Sequence, residues 1–158
     1  MTKNPSLYEP TSRSLPISLL QTRELIMEVV RPMLVRHSIT EQQWRVLRVI
    51  SEDGRLDAST VAARACLLAP SVTRIVRALT KRGFISSVRD VSDKRRTVLQ
   101  LTEAGDAFLE KVSPESAEIF AKLRRTVGAE RWEQLATLLS DIRSDIQATD
   151  TDQSDAKP

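Results

Sequence analysis

The sequence contains few of the residues on which covalent and metal-centred chemistry depends. Its 158 residues include one cysteine and one histidine, so an internal disulfide framework is excluded, and neither a Cys- or His-based zinc site nor a Ser-His triad is expected. Its four glycines form no glycine-rich phosphate-binding loop. Because no catalytic constellation is recognisable, we expect a protein that is not an enzyme and that needs no cofactor.

Aromatic residues and long apolar runs are also scarce. With two Trp, one Tyr and three Phe, the core must be built mostly from Leu, Ile, Val and Ala. No apolar run approaches the roughly 20 residues that span a bilayer, and the first residues, MTKNPSLYEPTSRS, include no apolar stretch of signal-peptide length. We therefore expect a cytoplasmic protein without a membrane partner. Hydrophobic and charged fractions of 41% and 28% are typical of a globular domain.

Positive charge is concentrated in one part of the chain, although the net charge is only +3. Residues 64–96 carry nine Lys or Arg and two Asp, whereas residues 97–147 carry six Lys or Arg and nine Asp or Glu. Such an asymmetry indicates a face that binds a polyanion. The alternative interpretation is an ordinary solvated basic surface.

Capping and turn signals divide the chain into helices and one hairpin. Thr40 and Gln43 fit a capping box, Gly54 suits a helix C-cap, and Pro70 falls in the first turn of a later helix. Pro32 predicts a kink or a break in the first helix. The predicted elements are, in order, a flexible arm (1–14), helices over 15–36, 40–53, 59–65 and 70–82, strands over 84–89 and 97–101, a long helix from 103, a final helix ending at 147 and a disordered tail (148–158).

This order predicts a mainly α-helical winged helix-turn-helix protein with a small β wing. A short helix, a tight turn and a second helix are followed by a hairpin, within a lobe spanning 40–102. The outer helices, 15–36 and 103–147, are too apolar for an isolated domain of this size, so we expect them to be dimerisation helices that a homodimer buries mutually. Two-fold symmetry then places two recognition helices about 34–36 Å apart, in successive major grooves.

The second helix of the motif predicts a DNA-reading face. Val72, Ile75, Val76 and Leu79 recur at helical spacing and share one buried side. The opposite side carries cations and hydroxyls that suit phosphates and base edges, and the basic hairpin tip suits the minor groove, with Asp93 expected to hold a tip arginine. The predicted DNA-binding residues are Ser71, Thr73, Arg74, Arg77, Lys81, Lys94, Arg95 and Arg96. The alternatives are a solvated amphipathic helix and a solubilising turn.

The stretch 56–102 resembles the DNA-binding core of the MarR family of transcriptional regulators. The matching segments are APSVTR (69–74), LTKRGFI (79–85), DVSDKRR (90–96) and LTEAG (101–105), and the similarity extends over nearly all of residues 15–147. The resemblance implies a homodimer on a palindromic operator in double-stranded DNA, usually a repressor that a ligand releases. Two positions depart from the family pattern, since Cys66 stands where Gly is usual and no Ser or Thr precedes Pro70.

The first half of the chain resembles a narrower subgroup, the regulators of homoprotocatechuate degradation operons. The matching segments are LLQTRE (19–24), RP (31–32), His37, TEQQWR (40–45) and AC (65–66). The resemblance implies control of aromatic-acid catabolism, with a small aromatic carboxylate as effector. Such an acid needs an apolar slot and a fixed cation. Arg23 is the first candidate for this cation, and the candidate pocket walls are His37, Trp44, Arg45 and Cys66.

Each of these candidates also has a purely structural interpretation. For Arg23 it is an ion pair with Glu24 or Glu28 across the dimer, and for Cys66 it is burial in a tight turn as a small apolar side chain. The other interpretations are a helix end for His37, a core position for Trp44 and simple exposure for Arg45.

Two other functions remain open at the level of sequence. One is a thiol redox sensor of the same family, in which Cys66 forms a sulfenate or an intersubunit bridge. Oxidation-sensing relatives in the family carry their cysteine in the first helix, where this chain has none. The other is a helical protein-interaction module without a role on DNA, which the basic recognition helix argues against.

Overall fold

The mainly α-helical winged helix-turn-helix fold is confirmed by the structure, a computed structural model that describes residues 13–90 and 96–155. The chain divides into two compact units after Ala117. Its elements in the described part are α1 (Leu15–Arg36), α2 (Glu41–Asp53), α3 (Ala58–Arg64), α4 (Ala69–Lys81), β1 (Ile85–Arg89), β2 (Thr97–Leu101), α5 (Glu103–Val127) and α6 (Ala129–Asp155).

Local capping interactions set where α2 and α3 begin. The Thr40 hydroxyl accepts the Gln43 N–H at 3.1 Å, and the Gln43 side-chain oxygen accepts the Thr40 N–H at 3.1 Å, which completes the predicted capping box. Asp57, directly before α3, accepts the Thr60 N–H at 2.8 Å. In contrast, α4 has Leu68 as its N-cap and no side-chain cap, in keeping with the lack of a Ser or Thr before Pro70.

Three helices end in the same way, with a left-handed residue directly after the C-cap. These residues are Ser38 after α1 (φ 52°), Cys66 after α3 (φ 50°) and Gly83 after α4 (φ 75°). The N–H that follows each of them bonds a carbonyl five residues back, as Leu67 bonds Ala62 at 2.9 Å, which is the Schellman arrangement. The turn of the helix-turn-helix therefore keeps this geometry with a cysteine at a position that favours glycine.

The wing is attached to the helix-turn-helix by a backbone bridge. β1 and β2 pair antiparallel along their full length, beginning with Ile85 opposite Leu101. Leu56, in the loop between α2 and α3, forms two further hydrogen bonds with Leu99, with N···O distances of 3.1 and 2.7 Å. This bridge, which the sequence does not predict, joins the middle of β2 to the loop that leads into α3.

Gly105 allows α5 to approach the start of the wing closely. A Cβ added at Gly105 would lie 2.1 Å from the carbonyl oxygen of Phe84, so only glycine fits at this point. The same carbonyl accepts the Thr102 N–H at 3.1 Å. Thr102 caps α5 as predicted, since its hydroxyl accepts the Gly105 N–H at 3.1 Å.

The core of the first unit is aliphatic, as the composition predicts. The C-terminal half of α1 takes part in it through Val30 and Leu34, whereas Leu20 and Leu25 in the N-terminal half are exposed. The most deeply buried large side chains are Met33, Val46, Leu47, Ile50, Val61, Val72, Leu79, Ile85 and Val112. This core fixes the orientation of α4 within the lobe.

α1 has the predicted bounds, and Pro32 does not break it, since the helix continues to Arg36. The end of the last helix differs from the prediction. α6 continues to Asp155, whereas the sequence predicts a disordered tail from residue 148. That prediction is corrected for residues 148–155, because no Gly or Pro interrupts the segment between Gly128 and Pro158. Residues 156–158 lie outside the described residues. Most of the predicted flexible arm, residues 1–12, lies outside the described residues.

Candidate nucleic-acid interface and effector cavity

The candidate DNA interface is built on α4, whose two sides differ in burial. Val72, Ile75 and Leu79 are buried as predicted, and Val76 is half-buried. Ser71 is half-buried near the helix N-terminus. The exposed side carries the predicted contacts Thr73, Arg74, Arg77 and Lys81. Because the apolar side anchors the helix in the core, the cationic side is left accessible to a polyanion.

The charges on this side are not neutralised by any residue that the structure describes. Within residues 13–90 and 96–155, the charged groups of Arg74, Arg77 and Lys81 have no ion-pair or hydrogen-bond partner. Thr73 uses its hydroxyl to bond the carbonyl of Ala69 at 3.2 Å. The helix therefore presents three unpaired cations on one exposed side.

Arg96, directly before β2 at the tip end of the wing, has a partner that sequence reasoning missed. Its guanidinium pairs with the carboxylate of Asp57, the N-cap of α3. Arg96 thus ties the wing to the helix-turn-helix across 39 positions of sequence. The other predicted tip residues, Lys94 and Arg95, and the expected partner Asp93, lie outside the described residues.

The Asp57 carboxylate is held by several donors at once. Its Oδ1 accepts the Ser59 hydroxyl at 2.6 Å and the Thr60 N–H at 2.8 Å. Hydrogen bonds from Ser59, then from Thr60 and Arg96, lower the pKa of Asp57 far below its usual value. An Asp directly before a helix is a recognisable N-cap signal, but its long-range partner is not visible in the sequence.

A cavity of about 610 Å³ lies between α1, α2 and α4. Two of the candidate effector residues line it together, Arg23 from α1 and Arg45 from α2. Arg74 of α4, predicted only as a DNA contact, lines it as well. The remaining lining residues are Thr40, Glu41, Gln42, Gln43, Ile75 and Ala78.

Glu41 joins two of the arginines of this cavity. Its Oε1 pairs with Arg23 and lies 2.8 Å from Nη2 of Arg45. Arg23 also lies 2.6 Å from a carboxylate oxygen of Glu24, and Arg45 donates to the carbonyl of Ala65 at 2.8 Å. Arg23 is therefore ion-paired within its own chain. Glu41 stands in the capping-box segment, but nothing in that motif identifies it as the partner of both arginines.

Arg31 extends the network along α1. Its Nη2 donates to Oε2 of Glu24 at 2.5 Å and lies 3.8 Å from Oε2 of Glu41. The hydrogen bond from Arg31, together with the charges of Arg31 and Arg23, lowers the pKa of Glu24. In this network three arginines share two glutamates, so its net charge is positive. Arg74, which also lines the cavity, adds a further positive charge.

His37 and Trp44 are not among the residues that line the cavity. His37 lies instead 2.8 Å from Oε2 of Glu115 on α5, next to an ion pair between Arg36 and the same carboxylate. Its ring meets that of Phe108 edge-on, with 6.4 Å between centroids. Hydrogen bonds from Arg36 and then from His37 lower the pKa of Glu115. Trp44 is half-buried on α2.

Cys66 is exposed, which corrects the expectation that its tight turn would bury it. The residue before it, Ala65, is the buried C-cap of α3. The left-handed backbone at Cys66 then carries the chain out of the helix at the surface. Cys66 does not line the cavity with Arg23 and Arg45.

Two further site types are absent from the described part of the chain. Residues 13–90 and 96–155 contain no group of three His, Cys, Asp or Glu side chains that could hold a metal ion. Among the same residues, no helix combines the length and the apolarity needed to cross a membrane.

Comparison with known proteins matches residues 39–97 to the MarR family. The homoprotocatechuate degradative operon repressor of Escherichia coli is 35% identical over 129 residues, which cover 82% of this chain and 87% of the repressor. The HTH-type transcriptional regulator FarR of Neisseria gonorrhoeae is 36% identical over 129 residues, with coverages of 82% and 88%. The crystal structure of NadR in complex with 4-hydroxyphenylacetate matches with a TM-score of 0.80 and 35% identity, over 85% of this chain and 98% of NadR.

Proposed function

Since the chain belongs to the MarR family of transcriptional regulators, we propose that it is a homodimeric repressor of an aromatic-acid catabolic operon, released from its operator by a small aromatic carboxylate. Members of this family bind DNA as dimers and are regulators rather than enzymes. The similarity to a homoprotocatechuate operon repressor supports the choice of operon. The similarity to a 4-hydroxyphenylacetate complex supports the choice of effector class.

The observation that carries the DNA-binding part of the proposal is the composition of the two sides of α4. Its buried side is wholly apolar, while its exposed side carries three cations with no partner among the described residues. Unpaired Lys and Arg on an exposed helix contact phosphates and guanine edges when the helix enters the major groove. Salt-sensitive binding follows from this arrangement, because phosphate contacts release counterions.

The effector part of the proposal rests on the cavity between α1, α2 and α4. Its volume of about 610 Å³ lies within the range of small-molecule sites, roughly 300–1,000 Å³. Arg23 and Arg45 make one wall cationic, and Ile75 and Ala78 supply apolar surface. This combination suits a molecule with an aromatic ring and a carboxylate.

We propose that release is a shift between two populations of the dimer. An effector that binds the state with lower DNA affinity weakens operator binding by its own preference for that state, typically about 1–3 kcal/mol. The cavity lies against the recognition helix, because α4 contributes Arg74, Ile75 and Ala78 to its lining. Occupancy of the cavity and the position of α4 are thereby linked.

The test is fluorescence anisotropy of the full chain on promoter DNA flanking its own gene. 4-Hydroxyphenylacetate, homoprotocatechuate and benzoate are the probes, with 4-hydroxyphenylacetamide as the uncharged control. We expect preferential, salt-sensitive binding to the promoter that one of the acids relieves and that the amide does not. Binding no tighter than to random DNA at low salt would contradict the repressor role.

Replacing Arg23 with alanine tests the cavity. Arg23→Ala should bind the operator as the wild type does and should lose its release by the carboxylate, since a cation of the cavity wall is gone. Arg36→Ala is the matched control, because Arg36 is a paired arginine of the same helix that does not line the cavity, and it should be released normally. A collapse of operator affinity in Arg23→Ala would show instead that its ion pairs with Glu24 and Glu41 are structural.

The exposure of Cys66 favours a second candidate function, a thiol redox sensor. An accessible thiol can be oxidised to a sulfenate or can form an intersubunit bridge. If this function holds, peroxide weakens operator binding by the wild type and leaves Cys66→Ser unaffected. If peroxide changes operator binding equally in the two proteins, a redox-sensing role for Cys66 is excluded.

A further inference from the structure

We infer that Arg74 receives the carboxylate of the effector, so that the effector and a DNA phosphate compete for one guanidinium. The inference rests on the proposed function. It assigns the coupling between effector binding and DNA binding to one side chain, that of Arg74. Arg74 belongs to two surfaces. It lies on the exposed cationic side of α4, and it lines the cavity shared with α1 and α2.

The position of Arg74 on the helix explains this double membership. At about 100° per residue, Arg77 and Lys81 lie to one side of Arg74. Ala78 and Ile75, which line the cavity, lie to its other side. Arg74 therefore marks the edge at which the DNA-facing cations meet the cavity, and Arg77 and Lys81 are not among the cavity's lining residues.

The distribution of ion pairs distinguishes Arg74 from the other arginines of the cavity. Arg23 is paired with Glu24 and Glu41, and Arg45 is paired with Glu41. The guanidinium of Arg74 has no partner within residues 13–90 and 96–155. A carboxylate entering the cavity can bond Arg74 without breaking an existing ion pair, whereas bonding Arg23 or Arg45 first requires competition with Glu41.

The apolar part of the cavity lies next to this guanidinium. Ile75 follows Arg74 directly and Ala78 stands one helical turn later, and both line the cavity. An aromatic ring against these two side chains would place its carboxylate near Arg74, while Arg23 and Arg45 keep the cavity electropositive. A charge-assisted bond to guanidinium is stronger than a bond between neutral groups, so the anion is preferred over its amide.

If the effector and DNA compete for Arg74, saturating effector should lower operator affinity as much as removal of the Arg74 side chain does. Saturating 4-hydroxyphenylacetate should weaken operator binding by the wild type by the same factor as Arg74→Ala weakens it, within about twofold. The factor should lie within the range typical of such couplings, about 5–150-fold. The operator affinity of Arg74→Ala should then be insensitive to the effector. Because Arg74→Ala removes one cation from each subunit of the dimer, and so two from the phosphates, it should also make the slope of log K against log salt shallower by about 1.8.

Arg77→Ala is the matched control, because it removes a cation from the same side of α4 outside the cavity. Its operator affinity should fall, but 4-hydroxyphenylacetate should release it by the wild-type factor. A measurement without DNA covers the case in which Arg74→Ala no longer binds the operator at all. By isothermal titration calorimetry, Arg74→Ala should bind 4-hydroxyphenylacetate about tenfold or more weakly than the wild type, and Arg77→Ala should bind it equally well.

The outcomes separate this inference from the function on which it rests. Two results would overturn the role of Arg74 without contradicting the proposed function. One is that the effector weakens operator binding by Arg74→Ala by the same factor as in the wild type. The other is that Arg74→Ala binds 4-hydroxyphenylacetate as tightly as the wild type in calorimetry. Failure of 4-hydroxyphenylacetate to bind or release the wild type would overturn the inference, and failure of every carboxylate in the panel would overturn the effector part of the proposed function too.

Discussion

Cys66 and Gly83 occupy equivalent positions, one residue after the C-caps of α3 and α4, and both have positive φ. An L-residue with a side chain is destabilised in this conformation by roughly 1–2 kcal/mol, whereas glycine is not. The backbone bonds of the turn are the same in both cases, because Leu67 and Phe84 bond the carbonyls five residues back. The helix-turn-helix turn therefore holds a cysteine at an energetic cost that its counterpart after α4 avoids.

At the residue scale we predict that Cys66→Gly stabilises the protein. The expected gain is about 1 kcal/mol, since relief of the left-handed conformation exceeds the extra backbone entropy of glycine in the unfolded chain. Urea denaturation at fixed protein concentration measures it. The reverse exchange, Gly83→Cys, should destabilise by a similar amount, because the space around Gly83 is open and only its backbone conformation opposes a side chain. Destabilisation by Cys66→Gly would show that the thiol contributes contacts of its own.

At the scale of elements, the parts that the sequence predicts correctly are those set by local signals. The capping box of Thr40 and Gln43, the Thr102 cap and Pro70 in the first turn of α4 all depend on residues within a few positions of each other. The buried side of α4 follows from a 3.6-residue period. Local chemistry therefore suffices to predict the helix-turn-helix and the position of its cationic side.

The parts that the sequence does not predict are pairings between distant residues. Arg96 is 39 positions from Asp57 and Arg36 is 79 positions from Glu115, and the sequence offers several equally charged partners for each. The same reason explains the effector candidates. Arg23 and Arg45 meet at one cavity while His37 and Cys66 do not, because that grouping depends on how α1 packs against α2 and α4.

The hydrogen bonds that the Asp57 carboxylate accepts from Ser59, Thr60 and Arg96 predict a loss of stability in acid. The pKa of Asp57 is lower in the folded than in the unfolded chain, so below the unfolded value, near 3.9, the unfolded state binds more protons. The stabilisation is complete above that pH and is lost as the pH falls through the folded pKa. Glu24 and Glu115, whose pKa values are also lowered, act in the same direction. The urea midpoint should be nearly constant from about pH 7 to 5 and should fall below about pH 4.

Two substitutions at Asp57 separate its charge from its capping role. Asp57→Asn keeps an N-cap acceptor for the Thr60 N–H and removes the charge that faces Arg96, so its stability should depend less on pH below about 4. Asp57→Ala removes both and should lose about 1 kcal/mol more than Asp57→Asn at neutral pH. If the stability of Asp57→Asn falls as steeply in acid as that of the wild type, the loss of stability in acid comes from other carboxylates.

At the scale of the whole molecule, large apolar side chains remain uncovered in each of the two units. In the first unit, α1 exposes Leu15, Leu19, Leu20, Leu25 and Val29. In the second unit, α6 exposes Leu135, Leu138, Leu139, Ile142 and Ile146, with Leu138 and Ile146 58% and 60% exposed. On each helix, an exposed apolar stripe of this kind marks an interaction surface. We propose that a second copy of the chain covers these two stripes, as the dimeric family implies.

A charge placed in the α6 stripe should therefore separate the dimer. Ile142→Glu is expected to shift the protein from dimer to monomer in light scattering at micromolar concentration and to abolish tight operator binding, because a buried unpaired carboxylate is costly. Ser144→Glu is the control, since Ser144 lies on the other side of the same helix and should leave the dimer unchanged. A wild-type protein that is monomeric under these conditions would contradict the dimer.

The most direct test of the account is selection of binding sites by the wild-type protein from sheared genomic DNA of its own source. A two-fold dimer with a recognition helix in each subunit should enrich an inverted repeat whose half-sites are about 10–10.5 base pairs apart. Elution with 4-hydroxyphenylacetate should recover the same fragments. Enrichment of no common sequence, or of single unrepeated sites, would contradict the claim that this chain is an operator-binding dimer.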